Sequence, residues 1–216
     1  MNLAKKRKRR KNNLLFKRGK LQLSGVISVM LIVGMLIVLV AQLVPRLTTT
    51  TTNSTTSDLS TANHQQFIRT IAPYAQKMHK QYGILPSITI AQAILESDWG
   101  TSQLSKSYNN YFGIKGTIYQ TTKEMKTQEF VNGKWVTVTA RFRVYNNWQE
   151  SVRDHTLLFV NGTNWNKNQY RSVLSAKDYQ TAAKALYEDG YATDPDYSQK
   201  LISLIQTYQL QKYDQQ

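Results

Sequence analysis

Residues 87–116, SITIAQAILESDWGTSQLSKSYNNYFGIKG, decide how this chain is read. The stretch opens as a short apolar helix, with Ser87 as its expected N-cap and Gly100 as its expected stop. It carries one carboxylate, Glu96, at its end, and an aromatic and glycine-rich cluster follows (Trp99, Gly100, Tyr111, Phe112, Gly113). A carboxyl group among Ile94, Leu95 and Trp99 loses hydration, which disfavours its charged form and raises its pKa. The partial negative charge of a helix C-terminus pushes the same way. Such a group suits a general acid that keeps its proton at neutral pH, as cleavage of a glycosidic bond requires. The same pattern is also that of a solvated Glu near a helix end.

Outward from this stretch the chain reads as helix-rich. Phe67, Ile71, Ala75, Met78 and Tyr82 recur at helical spacing, with Pro73 expected to divide or kink the segment and Gly83 to end it. Asn147 and Glu150 resemble a capping box for a helix presenting Trp148, Val152, His155 and Phe159, closed by Gly162. Tyr179, Ala182, Ala183 and Leu186 mark another helix, closed by Gly190. Asp194–Pro195 reads as an N-cap and first helical position for a last helix burying Leu201, Leu204, Ile205 and Tyr208.

One hairpin interrupts the helices. Asn132–Gly133 is a two-residue turn signal between Met125–Val131 and Lys134–Val144. Val136, Val138, Ala140, Phe142 and Val144 alternate onto one face. A two-residue loop opposes Val131 to Lys134 and Glu129 to Val136, so Glu129 joins the apolar face and Glu124 falls on the solvated one. An acid on an apolar face calls for a reason, either chemistry or an open end of the ribbon where it meets water.

The N-terminal third sets an address. Residues 1–20 form a basic tail with ten Lys or Arg and no acidic residue, and residues 21–44 carry no charge at all. As a helix the latter would span about 36 Å at ~1.5 Å per residue, enough to cross a membrane. A basic cluster before such a span is a positive-inside signal: N-terminus in the cytoplasm, everything after Arg46 outside. The apolar run is longer than a signal-peptide core and lacks a clear cleavage pattern, so an uncleaved signal anchor is expected. Residues 45–63 form a linker; 11 of the 14 residues from Thr48 to Thr61 are Ser or Thr, which predicts extended chain. Residues 64–216 remain as one domain.

That partition changes the meaning of the charge. The chain has 28 Lys and Arg against 13 Asp and Glu, a net +15, but 11 of the basic residues precede residue 47. The remainder is 17 against 13, a modest +4 that fits an anionic surface such as a bacterial wall and makes no case for nucleic acid. With no cysteine, disulfides and zinc–thiolate sites are excluded. Three His and no H-E-x-x-H argue against a metal peptidase, and His155 after Asp154 lacks a nucleophile partner and reads as structural. No metal or cofactor is expected, and no heptad or interface patch fixes an oligomeric state.

Five segments, ILESDWG, NNYFGIKG, TQEF, ARFRVYNNWQESVRDH and GYATDPDYSQKL, in this order and spacing, resemble the glucosaminidase domain of glycoside hydrolase family 73. The resemblance covers roughly Phe67 to Tyr213. It implies an α+β, lysozyme-like fold, a mainly helical lobe plus a β-hairpin lobe, here preceded by one N-terminal transmembrane helix. It also implies hydrolysis of the β-1,4 bond between N-acetylglucosamine and N-acetylmuramic acid in the glycan strands of peptidoglycan. Position by position, Glu96 matches the general acid, Glu129 the second acidic residue of the β-lobe, and Tyr191 an active-site tyrosine. Asn109, Asn110, Phe112 and Lys115 match the motif lining the groove. The family commonly has Gly where this chain has Asp98, two residues from Glu96 and thus off its helical face. Among the other aromatics, Trp99 beside the acid and Trp165 in the loop-like NGTNWNKNQYR, with Tyr170, are groove candidates for stacking on sugar. A muramidase or lytic transglycosylase of similar fold, and a non-catalytic wall-binding protein, are the alternatives.

Overall fold

The computed structural model describes residues 16–17, 20–21, 53–131 and 134–215. Two short strands, β1 (Phe16–Lys17) and β2 (Lys20–Leu21), pair antiparallel near the start of the chain. Residues 22–44 of the expected membrane span lie outside the described residues, as do most of the basic tail and the linker up to residue 52. Among the described residues no helix is long and apolar enough to cross a membrane.

Helix α1 (Asn53–Tyr82) is 30 residues long and takes in Asn53–Thr61, where extended linker was expected. Ile68, Ile71, Ala72, Ala75 and Met78 are buried at helical spacing and fix its second half. Once that half is nucleated by packing, extending the helix costs only tenths of a kcal/mol per Ser or Thr, with no Gly or Pro to stop it. The helix also continues through Pro73, which faces water where the carbonyl it leaves unpaired can be hydrated. Gly83, with φ +89°, ends it as expected.

Helix α2 (Pro86–Ser97) is the central element: ten of its twelve residues are buried, from Pro86 to Ile94 plus Ser97. A helix buried nearly all round belongs in a core, and α1 packs against it together with later helices. Its N-terminus corrects the expected cap. Leu85 is the N-cap and Pro86 the first helical residue, while Ser87 donates its backbone N–H and its hydroxyl to the Asp214 carboxylate at 2.8 and 2.7 Å. The cap is thus supplied from the far end of the chain.

A short helix, α3 (Gln103–Tyr108), precedes the hairpin, with the Ser102 hydroxyl accepting from the Ser105 N–H. Strands β3 (Thr122–Val131) and β4 (Lys134–Arg143) pair antiparallel as Val131↔Lys134, Glu129↔Val136, Thr127↔Val138, Met125↔Ala140 and Lys123↔Phe142. This is the register expected of a two-residue turn, although Asn132 and Gly133 lie outside the described residues. Helices α4 (Trp148–Asn161), α5 (Arg171–Ser175), α6 (Tyr179–Glu188) and α7 (Tyr197–Thr207) follow, then a 3-10 turn, Leu210–Tyr213.

The Asn147 side chain caps α4 by accepting from the Glu150 N–H at 2.9 Å, while the Glu150 carboxylate reaches back to the Asn146 N–H. Gly162 closes α4 at φ +63°, where a Cβ would meet the Asn166 carbonyl oxygen at 2.4 Å, so only glycine fits. Helix α7 starts two residues later than Asp194–Pro195 suggested: Asp196 is the N-cap, and Asp194 instead accepts from the Asp196 N–H and binds Lys200 at 2.6 Å.

Candidate active site

Glu96 projects from the last turn of α2, the one end of that helix not fully enclosed. Its carboxylate Oε1 accepts a 2.9 Å hydrogen bond from Tyr197 Oη, and Tyr197 Oη accepts from Gln92 Nε2 at 2.9 Å. Gln92 and Glu96 are one helical turn apart, so both meet Tyr197 at the start of α7. Glu96 keeps some exposure as a residue, yet its carboxyl is surrounded by protein; lost hydration pushes its pKa up to about 8, partly offset by the Tyr197 hydrogen bond. The carboxyl is therefore largely protonated at neutral pH. A solvated Glu at a helix end would not be.

Immediately after α2 the chain takes three successive left-handed residues, Asp98 (φ 49°), Trp99 (φ 58°) and Gly100 (φ 75°). The family's common Gly at position 98 is accounted for by that conformation, which Asp tolerates better than most residues. Asp98 is exposed and accepts from the Thr101 hydroxyl at 2.9 Å, away from the Glu96 carboxyl, as its position on the helix predicted.

The reversal lays Trp99 against α1. Its ring stacks on His64 at 3.7 Å and meets Tyr208 and Phe67 edge-on at 4.8 and 5.8 Å. One face is thus taken by His64, and the ring is half-buried. Tyr191 is 1% exposed, 5.8 Å ring to ring from Tyr197 and 5.4 Å from Phe159. Burial first, then the Glu96 charge, hold its pKa well above the ordinary phenol value, and its hydroxyl is without a hydrogen-bond partner among the described residues.

Three sequence-based site residues lie in the interior or the hairpin root instead of on an open groove. Phe112 is 1% exposed and stacks on His155 at 3.8 Å. Asn110 is equally buried and saturated: Nδ2 donates to the Ile114 and Arg143 carbonyls at 2.9 Å each, and Oδ1 accepts from the N–H groups of Ile114 and Phe112. Asn109, left-handed at φ 53°, donates to the Tyr145 carbonyl at 3.0 Å. The two asparagines anchor the end of the hairpin, while Phe112 packs on α4 through His155. Tyr170 is likewise buried, against Phe159, and Trp165 alone of the proposed stacking residues is open, at 59%. His155, read as structural, is fully buried, with neither ring nitrogen hydrogen-bonded among the described residues; burial drives its pKa down to about 3, so the ring is neutral.

The hairpin root is held by more than asparagines. Arg143 pairs with Asp154 on α4, whose Oδ2 also accepts from Tyr145 Oη at 2.5 Å. Arg143 N–H donates to the Ile114 carbonyl and Gly116 N–H to the Arg141 carbonyl. Lys115 bridges Phe142 through its backbone and, with Ile114, Arg143, Asp154, Leu157 and Asn161, lines a half-open cleft of about 270 Å³ beside the root. Neither Glu96 nor Tyr191 lines it. On the ribbon itself, Glu124 pairs across with Arg141 at 2.7 Å, both largely exposed, as its assignment to the solvated face required. Glu129 stands opposite Val136. Among the described residues no cluster of His, Asp and Glu is arranged to hold a metal ion.

Sequence reasoning found Glu96 but missed Tyr197 and Gln92, the groups that touch or orient it. The available signal was the Gln one turn before Glu96 in a largely apolar helix, and a second Tyr in GYATDPDYSQKL.

A family model described as glucosaminidase, mannosyl-glycoprotein endo-beta-N-acetylglucosaminidase, matches residues 72–210. The exo-glucosaminidase LytG of Bacillus subtilis is 49% identical over 151 residues, 70% of this chain and 54% of LytG. A protein named as a probable N-acetylmuramidase from Lactococcus lactis subsp. cremoris is 42% identical over 72% of this chain and 36% of its own length. The chain thus spans about half or less of these relatives. The catalytic domain of the Listeria monocytogenes autolysin Auto is 36% identical with a TM-score of 0.64, covering 77% of this chain and all of that domain. The helical bed, the hairpin and the segments quoted above therefore belong to a member of the glucosaminidase family.

Proposed function

We propose that the chain hydrolyses the β-1,4 bond between N-acetylglucosamine and N-acetylmuramic acid in peptidoglycan, with Glu96 as the general acid. The observation that carries this is the Glu96 carboxyl at the end of a buried helix, hydrogen-bonded by Tyr197 and enclosed so that lost hydration pushes its pKa up. Glu96 gives its proton to the glycosidic oxygen as the C1–O bond breaks, and the bond's electron pair leaves with that oxygen. The sugar passes through an oxocarbenium-like state and water adds at C1, its proton passing either to the activating carboxylate, with Glu96 then reprotonated from solvent, or directly back to Glu96. Glu129 activates that water, or the substrate's 2-acetamido group serves as internal nucleophile and Glu129 stabilises charge. Tyr191 lies close enough for its field to be coupled to Glu96, which supports a role in shaping the site's electrostatics. Trp165 offers an open aromatic face to a sugar ring. Residues 21–44 anchor the chain in the cytoplasmic membrane, with residues 64–216 facing the wall.

A muramidase reading is favoured by the name of the Lactococcus relative. Mass analysis of digested peptidoglycan separates the two. Products ending in reducing N-acetylglucosamine are expected; reducing or anhydro N-acetylmuramic acid ends would replace the proposed bond specificity with that of a muramidase or lytic transglycosylase.

A further inference from the structure

We infer that Gln92 and Tyr197 together decide which oxygen of the Glu96 carboxyl carries the catalytic proton, which makes Tyr197 a positioning residue for the acid. The inference rests on Glu96 being the general acid. Tyr197 Oη has one proton to give. Gln92 Nε2 donates to that oxygen at 2.9 Å, so the phenol proton points onward to Glu96 Oε1, also at 2.9 Å. Gln92 and Tyr197 are both fully buried, which leaves water little chance to scramble this direction. An Oε1 already accepting from a phenol is a poor place for a second proton. The acid proton is therefore placed on Oε2, and among the described residues no second hydrogen bond competes for it there. When the proton passes to the leaving oxygen, the new carboxylate keeps its Tyr197 hydrogen bond, so the relay also stabilises the product of the transfer.

The surroundings leave this pair as the dominant polar influence. Tyr197 from α7 and Tyr191 just before it are the titratable groups coupled to Glu96. On α1, His64 is held against Trp99; Asp214, beyond the 3-10 turn, binds Ser87 at the opposite end of α2; α6 turns Ala182, Ala183, Ala185 and Leu186 inward.

The test is the pH dependence of peptidoglycan hydrolysis by the full chain carrying Tyr197→Phe or Gln92→Met. Tyr197→Phe removes a hydrogen bond that favours the carboxylate, so the alkaline limb should move up by about one pH unit. With the acid proton no longer directed, kcat should fall by about tenfold to a hundredfold while KM stays within about twofold. Gln92→Met frees the phenol to accept from a protonated Oε1, and should shift both quantities the same way by less. A drop in kcat with the limb unmoved makes Tyr197 a packing residue and overturns the inference, as does unchanged kcat. If Tyr197→Phe fails to fold, Gln92→Met decides by the same criterion. Glu96→Gln measured alongside keeps the two ideas apart: turnover surviving in that variant removes the general-acid reading itself, whereas its loss together with unmoved limbs removes only the relay.

Discussion

The bed around Glu96 and the hairpin bearing Glu129 are built on opposite physical terms. The bed is centred on α2, ten of whose twelve residues are buried, and its Gln92 and Glu96 side chains both bond to Tyr197, about a hundred residues away in sequence. The ribbon is two strands with one row of partly buried residues, from Met125 to Phe142, and an exposed opposite row in which Glu124 meets Arg141. An isolated two-stranded ribbon is marginal in water, so its placement depends on the root, where Asn109, Asn110 and the Arg143–Asp154–Tyr145 cluster tie it to the helices. A carboxyl that must hold a proton needs the dry, rigid bed. If Glu129 handles water or developing charge, as proposed, the two carboxyl groups would divide the work between a dry bed and a two-stranded arm.

The sharpest way to break this contrast is Glu96→Gln. Turnover should fall by about 10²–10⁴-fold, with sedimentation on peptidoglycan retained. Stability should move the other way. Glu96 is raised to about 8 from an ordinary 4.5, so between those values the folded state binds more protons than the unfolded one and stability falls as pH rises. The Gln variant escapes this loss and should melt higher than the parent at pH 8, with the gap narrowing toward pH 4.5. Thermal melts across that range check it; a lower melting point at pH 8 would contradict a desolvated, proton-holding Glu96.

Glu129→Gln is the corresponding probe of the arm. If Glu129 supplies the second role, turnover drops by about 10²-fold or more. Turnover near the parent's would instead assign that role to the substrate's acetamido group. Either result is read from initial rates of glycan release, with melting curves as the control.

The contrast also shows what the sequence made legible. Helix periodicities, the Asn147–Glu150 cap and the Glu129↔Val136 register were readable because each is set by residues near one another in the chain. The unreadable features were made at a distance. Tyr197 reaches Glu96 across 101 positions, and Asp214 caps α2 at Ser87 across 127. Asn53–Thr61 had the composition of a linker, yet is helical because packing further along had already met the cost of nucleation. Asn110 and Phe112 were legible as a motif but not as to purpose: the motif stands beside Glu96 in sequence, while its side chains face the interior and the hairpin root.

Asn110→Ala tests that reassignment. It strips two carbonyls and two N–H groups of their shared partner in a buried position, and should cost about 1–3 kcal/mol of stability. Denaturant titration measures the loss. If the hairpin carries a group that acts on the substrate, loosening its root should lower kcat by about tenfold while the alkaline limb of the pH profile stays in place, since no hydrogen bond to the Glu96 carboxyl has changed. A rise in KM with kcat untouched would return Asn110 to direct substrate contact.

The smallest effect is expected at Glu124, and its smallness is informative. Glu124 and Arg141 are 2.7 Å apart, but their side chains are 56% and 47% exposed. Water screens such a pair, and holding two long side chains together costs entropy, so it contributes roughly 0–1 kcal/mol. Glu124→Gln should therefore leave the melting temperature within a degree or two and the rate within about twofold. The two hairpin acids are only five positions apart, yet five is odd, so the pairing register sends them to opposite rows of the ribbon. Inactivation by Glu124→Gln with activity kept in Glu129→Gln would reverse that assignment. It would mean that the row facing Arg141, and not the row of Met125 and Val138, is the one turned toward the glycan.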